Sequence, residues 1–355
     1  MAADNRPDWQ LATVIEALPA ADNIQRVTFQ RPPSARAQPG THIDVRVDLG
    51  DHTDTRSYSV VSSSADGAHI TVSVLLSPTS RGGSKFMHGL RVGDTMMTTQ
   101  PLQNFPLRVG AQRYVLLAGG IGITAIIGMA RVLKAMKADY TFVYAARSRS
   151  AMVYLDELRA EHGDRLRVHV DDEGLSLDVV SLIDDVAADP RRENVELYMC
   201  GPIRLMDAVR RYWSTCGLPV YNLRYETFGN SGWFDPESFL VRIPRLGIEA
   251  TVGTHTTILE ALTEAGAEMM FDCRKGECGL CQVDVTHIDG VIDHRDVFFS
   301  ERQHRAGTKL CSCVSRAVSH SAAAARGLNV PAVENTDDLI GLPATTRPVL
   351  TIDIP

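Results

Sequence analysis

The chain has 355 residues, enough for two or three domains, and 44% of them are apolar. A formal net charge of −7 withholds the basic face that nonspecific nucleic-acid binding needs, and no apolar run approaches the ~20 residues of a membrane span. The opening residues, Met-Ala-Ala-Asp-Asn-Arg-Pro, lack the basic start and apolar stretch of a secretion signal. The seven cysteines, three of them in one short loop, suit a reducing compartment better than a disulfide scaffold. A soluble, cytoplasmic monomer that binds neither nucleic acid nor membrane is expected.

Residues 8 to about 108 read as short β-strands punctuated by Pro, Gly, Asp and Ser, which suggests a small antiparallel barrel or sandwich. Within it, Arg56-Ser57-Tyr58-Ser59 places a cation, an aromatic ring and hydroxyls on one extended segment, with Arg56 and Tyr58 on one face. Arg81-Gly82-Gly83-Ser84 opens an expected helix over Lys85–Leu90. It reads either as a phosphate cradle or as a turn with Ser84 as N-cap.

From about residue 112 the pattern changes to repeated strand–helix units, the signature of a doubly wound parallel sheet. The buried-strand run Arg113–Ala118 leads into Gly119-Gly120-Ile121-Gly122-Ile123-Thr124-Ala125 and then an apolar helix. Gly120, Gly122 and Ala125 fit the spacing of a dinucleotide-binding turn. Ligands of such sheets lie at the C-terminal strand ends, so the loops containing Gly120, Gly122 and Thr124, Arg147 and Ser148, and Cys200, Gly201 and Pro202 are the candidates. Cys200 read alone is a small buried residue. Tyr225–Phe234 reads as a linker before a strand at Phe239–Ile243 and a helix at Ile258–Ala265.

The most specific signal comes late. Cys273, Cys278 and Cys281 stand at C-x4-C-x2-C, with further cysteines about thirty residues on, the spacing of a plant-type 2Fe–2S cluster. Gly276 and Gly279 allow the turns that bring backbone N–H groups to the sulfurs. The fourth ligand is Cys311 or Cys313, which alternate on an expected strand, Leu310–Val314. The plainer alternatives are a structural zinc site or buried thiols, but zinc sites usually use two short Cys pairs and only one is present. His294, in a polar loop, reads as a hydrogen-bonding or solvent-facing residue. Ala322 to Arg347 reads as an irregular stretch, and Val349–Ile354 as a last strand.

These motifs in this order resemble the ferredoxin–NADP reductase superfamily and, within it, the phthalate dioxygenase reductase family, single-chain reductase components of Rieske-type oxygenases and demethylases. The resemblance implies an antiparallel flavin-binding β-barrel (1–109), a doubly wound parallel-sheet NAD-binding domain (110–228) and a C-terminal β-grasp 2Fe–2S ferredoxin domain (229–355), with an insertion near 319–347. It implies that Arg56, Ser57, Tyr58 and Ser59 contact the flavin, with Tyr58 against the isoalloxazine and Ser59 near its reactive edge. Arg81, Gly82, Gly83 and Ser84 would take the phosphate of FMN rather than FAD. Gly120, Gly122 and Thr124 match the pyridine-nucleotide loop, and Cys200-Gly201-Pro202 the motif beside the nicotinamide. Phe228 resembles the aromatic that covers the other flavin face. Cys313-Val-Ser-Arg316 matches the family's closing motif, which puts Cys313 ahead of Cys311.

Three departures stand out. Ala125 replaces the family's usual proline, Pro101–Leu107 lacks an arginine, and the insertion adjoins the cluster strand, where it is expected to bear on docking of the acceptor. The function expected is an NADH-dependent reductase that passes electrons through FMN and one 2Fe–2S cluster to a separate Rieske-type oxygenase. Asp171 or Asp172 would disfavour a 2′-phosphate while Arg147 would welcome one. Other readings are a reductase serving a cytochrome P450 or a small acceptor, and a non-catalytic electron-carrier module.

Overall fold

The computed structural model describes residues 7–50, 53–78, 80, 82–229, 232–325 and 347–354. These fall into two compact units, one ending at Glu226 and the other starting at Thr227. Arg81 and most of the insertion, residues 326–346, lie outside the described residues.

The first unit opens with strands β1 (Trp9–Ala21), β2 (Ile24–Gln30), β3 (Thr41–Asp48), β4 (Thr53–Ser63) and β5 (His69–Leu75). A short helix α1 (Gly83–Gly89) and strands β6 (Thr95–Thr99) and β7 (Leu102–Gln103) follow. The sheet runs β4-β5-β2-β1-β6-β3, and pairing of β4 with β3 closes it into an antiparallel barrel, with β7 on the edge of β3. Alternate residues point inward, so Val14, Val27, Phe29, Ile43, Val45 and Val72 fill the interior while polar neighbours face out. Tyr58 and Phe86 pack against that core.

The α/β layer consists of β8 (Arg113–Gly119), α2 (Ile123–Ala135), β9 (Tyr140–Ala146), α3 (Leu155–His162), β10 (Leu166–Val170), α4 (Val179–Ala187), β11 (Val195–Cys200), α5 (Ile203–Thr215) and β12 (Leu223–Glu226). The strands are parallel in the order β10-β9-β8-β11-β12. The order reverses between β8 and β11, which opens a crevice at their C-terminal ends. Tyr225 and Glu226, expected in a linker, instead pair with Met199 and Cys200 as the fifth strand. Leu-Arg-Tyr-Glu has no apolar run to announce it, and pairing with β11 makes it a strand. Phe105 packs on Tyr198 with ring centroids 5.8 Å apart. Ser73 shares a 2.6 Å hydrogen bond with the Tyr154 hydroxyl. These contacts seat the barrel on the α/β layer.

The second unit holds β13 (Phe239–Ile243), β14 (Ile248–Val252), α6 (Ile258–Glu264), β15 (Gln282–Asp289), β16 (Val291–Asp293), α7 (Glu301–Ala306), β17 (Lys309–Cys311), β18 (Arg316–Val318), α8 (His320–Ala325) and β19 (Val349–Asp353). Its main sheet runs β14-β13-β19-β15-β17, so β19 is central, parallel to β13 and antiparallel to β15. Helix α6 starts with a capping box, the Thr257 hydroxyl accepting the Glu260 N–H and the Glu260 carboxylate accepting the Thr257 N–H. It buries Ile258, Ala261 and Leu262 in the core under the sheet. Residues 322–325, the start of the stretch expected to be irregular, instead belong to helix α8.

Candidate functional site

The barrel brings the Arg-Ser-Tyr-Ser segment to the start of α1. β4 pairs with β3 so that Arg56 lies opposite Val45, Tyr58 opposite Ile43 and Ser59 opposite His42. Ser57 is exposed and donates to the Asp44 carboxylate at 2.5 Å, whereas Ser59 is buried. Burial raises the pKa of Tyr58 against the opposing Arg56 charge, so its hydroxyl stays protonated. Arg56 pairs with Asp54 and lies along Gly83, where a Cβ would fall 2.7 Å from its side chain. The glycine therefore makes room for the cation at the helix start, an arrangement that fits a phosphate. Gly82 has φ +96°, and the helix begins at Gly83 rather than Lys85, so Ser84 lies in its first turn and is not the N-cap. The Ser84 hydroxyl bonds Ser80 at 2.8 Å and accepts the Ser77 N–H at 3.2 Å, which folds the loop back on itself.

The glycine turn after β8 is tightly enclosed. A Cβ on Gly122 would meet the Cys200 carbonyl oxygen at 2.2 Å, and one on Gly201 would meet the Gly119 Cα at 3.0 Å. The two loops that flank the crevice thus touch backbone to backbone, which only glycine permits. Thr124 donates to the Ile121 carbonyl at 2.9 Å and locks the turn. Helix α2, which starts at this turn, packs against β4, and β5 touches the turn itself. The nucleotide-type loop and the Arg56–Ser59 strand are therefore neighbours. Cys200 is buried at the end of β11, followed by Gly201 and by Pro202 at the start of α5. Arg147 and Ser148 leave the end of β9 on the same side of the sheet.

In the second unit, the loop after α6 wraps Cys273. Its sulfur accepts the N–H groups of Lys275, Glu277 and Cys278, each at 3.4 Å. Burial raises the pKa of Cys273 and these donors oppose it. Gly276 and Gly279 have φ +75° and +73°, and side chains there would strike Val314 and Phe298 at 2.7 and 2.2 Å. Such a ring of amide donors suits the negative sulfurs of an iron–sulfur cluster. Cys281 faces both Cys311 and Cys313, whose thiols and nearby backbone lower its pKa while their own rise.

The expected Leu310–Val314 strand stops at Cys311. There the chain turns, with the N–H groups of Val314 and Ser315 both donating to the Cys311 carbonyl at 3.3 and 3.0 Å. Both thiols lie against Cys281, whose interaction and burial raise their pKa; Cys313 also feels Cys273 and the Gly276 N–H, and Cys311 also feels the carboxylate of Asp296. Arg316 serves packing: it bonds the carbonyls of Thr256, Glu237 and Gly253 and lies over Phe239. Phe228, the second residue of this unit, is half-buried, and a Cβ on the next residue, Gly229, would lie 3.2 Å from Val314.

Asp296 was not visible as a site residue in the sequence. It is fully buried and accepts from the Phe299 N–H at 2.9 Å, the His304 ring at 2.9 Å and the Ser315 hydroxyl at 3.3 Å. His294 stacks on His304 with centroids 4.3 Å apart. Its side chain is 11% exposed and lies 3.7 Å from Asp296, so it is not solvent-facing. The spacing His294-x-Asp296 with a histidine eight residues on was the only sequence trace of this cluster.

Two family models match the chain, an oxidoreductase NAD-binding domain over residues 116–211 and a 2Fe-2S iron-sulfur cluster binding domain over residues 241–318. With the crevice and the cysteine loop, they define a pyridine-nucleotide-dependent iron–sulfur oxidoreductase. The phenoxybenzoate dioxygenase subunit beta of Ectopseudomonas oleovorans is 36% identical over 280 residues, covering 78% of this chain and 83% of that one. The vanillate O-demethylase oxidoreductase of Pseudomonas sp. (strain HR199 / DSM 7063) is 34% identical over 286 residues, 79% of this chain and 87% of that one. A solved structure of phthalate dioxygenase reductase, described as a modular structure for electron transfer from pyridine nucleotides to [2Fe-2S], superposes with a TM-score of 0.67 at 26% identity, over 98% of each chain. The chain belongs to the phthalate dioxygenase reductase family. Among the described residues no helix is long and apolar enough to cross a membrane.

Proposed function

We propose that the protein is the reductase component of a Rieske-type oxygenase or demethylase, carrying electrons from NADH by way of FMN and one 2Fe–2S cluster to a separate acceptor protein. The observation that carries this reading is the pairing of two arrangements in one chain: a glycine crevice packed beside the Arg56–Ser59 strand, and a cysteine sulfur ringed by three amide donors. When bound, FMN accepts a hydride and gives up electrons singly, and the cluster carries them one at a time.

The chain's own residues bind and orient. Arg56 with Arg81, Gly82, Gly83 and Ser84 would hold the FMN phosphate. Tyr58 would flank the flavin ring, and Ser57 and Ser59 would line its edge. Gly120, Gly122 and Thr124 would take the pyrophosphate of NADH, with Arg147 and Ser148 towards its adenosine. Cys200, Gly201 and Pro202 would set the nicotinamide, the Cys200 thiol standing beside the reacting carbon. Cys273, Cys278, Cys281 and Cys313 would ligate the cluster. Cys313 is preferred to Cys311 because it lies within electrostatic reach of both Cys273 and Cys281 and has the Gly276 N–H beside it.

The test is an anaerobic titration of the reconstituted protein with NADH, followed by absorbance and low-temperature EPR. Flavin bleaching followed by a reduced-cluster signal supports the relay. A cluster that stays oxidised with NADH but is reduced by dithionite would falsify it. A second titration, with an added Rieske oxygenase and with a P450, identifies the class of acceptor by which one is reduced.

A further inference from the structure

The C-terminal edge of the parallel sheet carries one contact that the relay leaves unused. β9 and β10 run in parallel with Ala146 beside Val170, so the turns that follow leave the sheet side by side. They are tied by the Asp172 N–H donating to the Arg147 carbonyl at 3.0 Å. Across them the Arg149 guanidinium grips the Glu173 carboxylate with two prongs, Nε to Oε1 at 2.7 Å and Nη2 to Oε2 at 2.5 Å. The two side chains are 39% and 37% exposed, so a ligand can reach the pair.

In a sheet ordered β10-β9-β8-β11-β12 a dinucleotide lies across the strand ends, with its pyrophosphate at the turn after β8. Cys200–Pro202 follows β11 on the nicotinamide side, so the adenosine half falls on the β9 and β10 side. The end of the second strand is where such folds read the ribose: a carboxylate meets a 2′-hydroxyl, and an arginine meets a 2′-phosphate. This chain brings both kinds to adjacent strand ends, with arginines at 147 and 149 after β9 and carboxylates at 171, 172 and 173 after β10. A phosphate seeking a two-pronged partner finds the edge of Arg149 already on Glu173, and finds three negative charges beside it.

We infer that Glu173, by holding Arg149, sets the preference for NADH over NADPH; it is a positioning residue that acts through the arginine. The inference rests on the proposed oxidation of NADH.

The test measures kcat and KM for NADH and NADPH with ferricyanide as acceptor, in the cofactor-loaded wild type, Glu173→Gln, Arg149→Ala and the double variant. Glu173→Gln should raise the NADPH-to-NADH ratio of kcat/KM by about tenfold, through a lower KM for NADPH. Adding Arg149→Ala should return the ratio to near the wild-type value, and the gain should shrink as ionic strength rises. An unchanged ratio in Glu173→Gln, or a gain that survives loss of Arg149, overturns the inference. A wild type that oxidises neither nucleotide overturns the NADH reading together with it, whereas an active wild type with an unmoved ratio overturns the inference alone.

Discussion

The carboxylate of Glu277, inside the cysteine loop, accepts the backbone N–H of Thr227 at 2.7 Å. Two residues on, Gly229 sits at φ +66° with Val314 and Lys275 against the place where its side chain would be. The segment that carries Phe228 is therefore held by the same loop that presents the thiols. Glu277→Ala removes a charge-assisted bond and should lower the melting stability of the cluster unit by about 1.5 kcal/mol. Calorimetry of the cluster-loaded protein measures it. Gly229→Val adds both a left-handed β-branched residue and a clash. It should speed cluster loss to a chelator, followed by the decay of visible absorbance.

The two late cysteines should differ in kind. Cys313→Ser is expected to abolish or strongly deplete the cluster, whereas Cys311→Ser should keep near-normal iron and sulfide content, because Cys313 feels Cys273 as well as Cys281 and Cys311 feels Cys281 without Cys273. Iron and sulfide analysis of the two purified variants decides the matter. Equal loss in both would remove the distinction drawn here.

Gly122→Ala should damage nucleotide use more than any other single methyl group in the α/β layer. The added carbon would stand 2.2 Å from a backbone oxygen that cannot move away without shifting β11. An increase of at least about tenfold in KM for NADH is expected, with the flavin and cluster spectra retained. Gly83→Ala, whose nearest contact would be the flexible side chain of Arg56, should weaken FMN retention on dilution and leave KM for NADH nearly unchanged.

Acid should loosen the cluster unit through Asp296. Burial alone would push its carboxyl up, but His294, His304 and the Phe299 N–H outweigh that and hold its pKa well below the usual carboxylate range. The sign follows from linkage. The folded pKa lies below the unfolded value near 3.9, so the stabilisation is complete above about pH 5 and is lost as pH falls through the folded pKa. Asp296→Asn keeps the shape but not the charge. It should destabilise the unit by about 2–3 kcal/mol and flatten the acid limb of a stability–pH curve. An unaltered acid limb in that variant would show that other carboxylates govern it.

The parts legible in the sequence were those whose physics is local. Glycines that must let two backbones touch, and cysteines that must converge within one loop, leave their spacing in the chain whatever surrounds them. Gly122 and Cys273–Cys281 could be found for that reason. The strand at Leu223–Glu226 could not, because only pairing with β11 makes it one. Cys311 and Cys313 looked like alternating strand residues until the backbone turned between them. The grip of Arg149 on Glu173 joins two turns that only parallel pairing of β9 with β10 brings together.

The central position of β19 has a consequence for how the second unit is made. Leu240 finds its parallel neighbour only in Val349, and Val285 is opposite Ile352. Without β19, β13 and β15 are two separated edges with no strand between them, and the core under α6 lacks Leu350 and Ile352. The sheet is therefore completed by pairing between residues far apart in the chain, the kind of contact that forms slowly in folding.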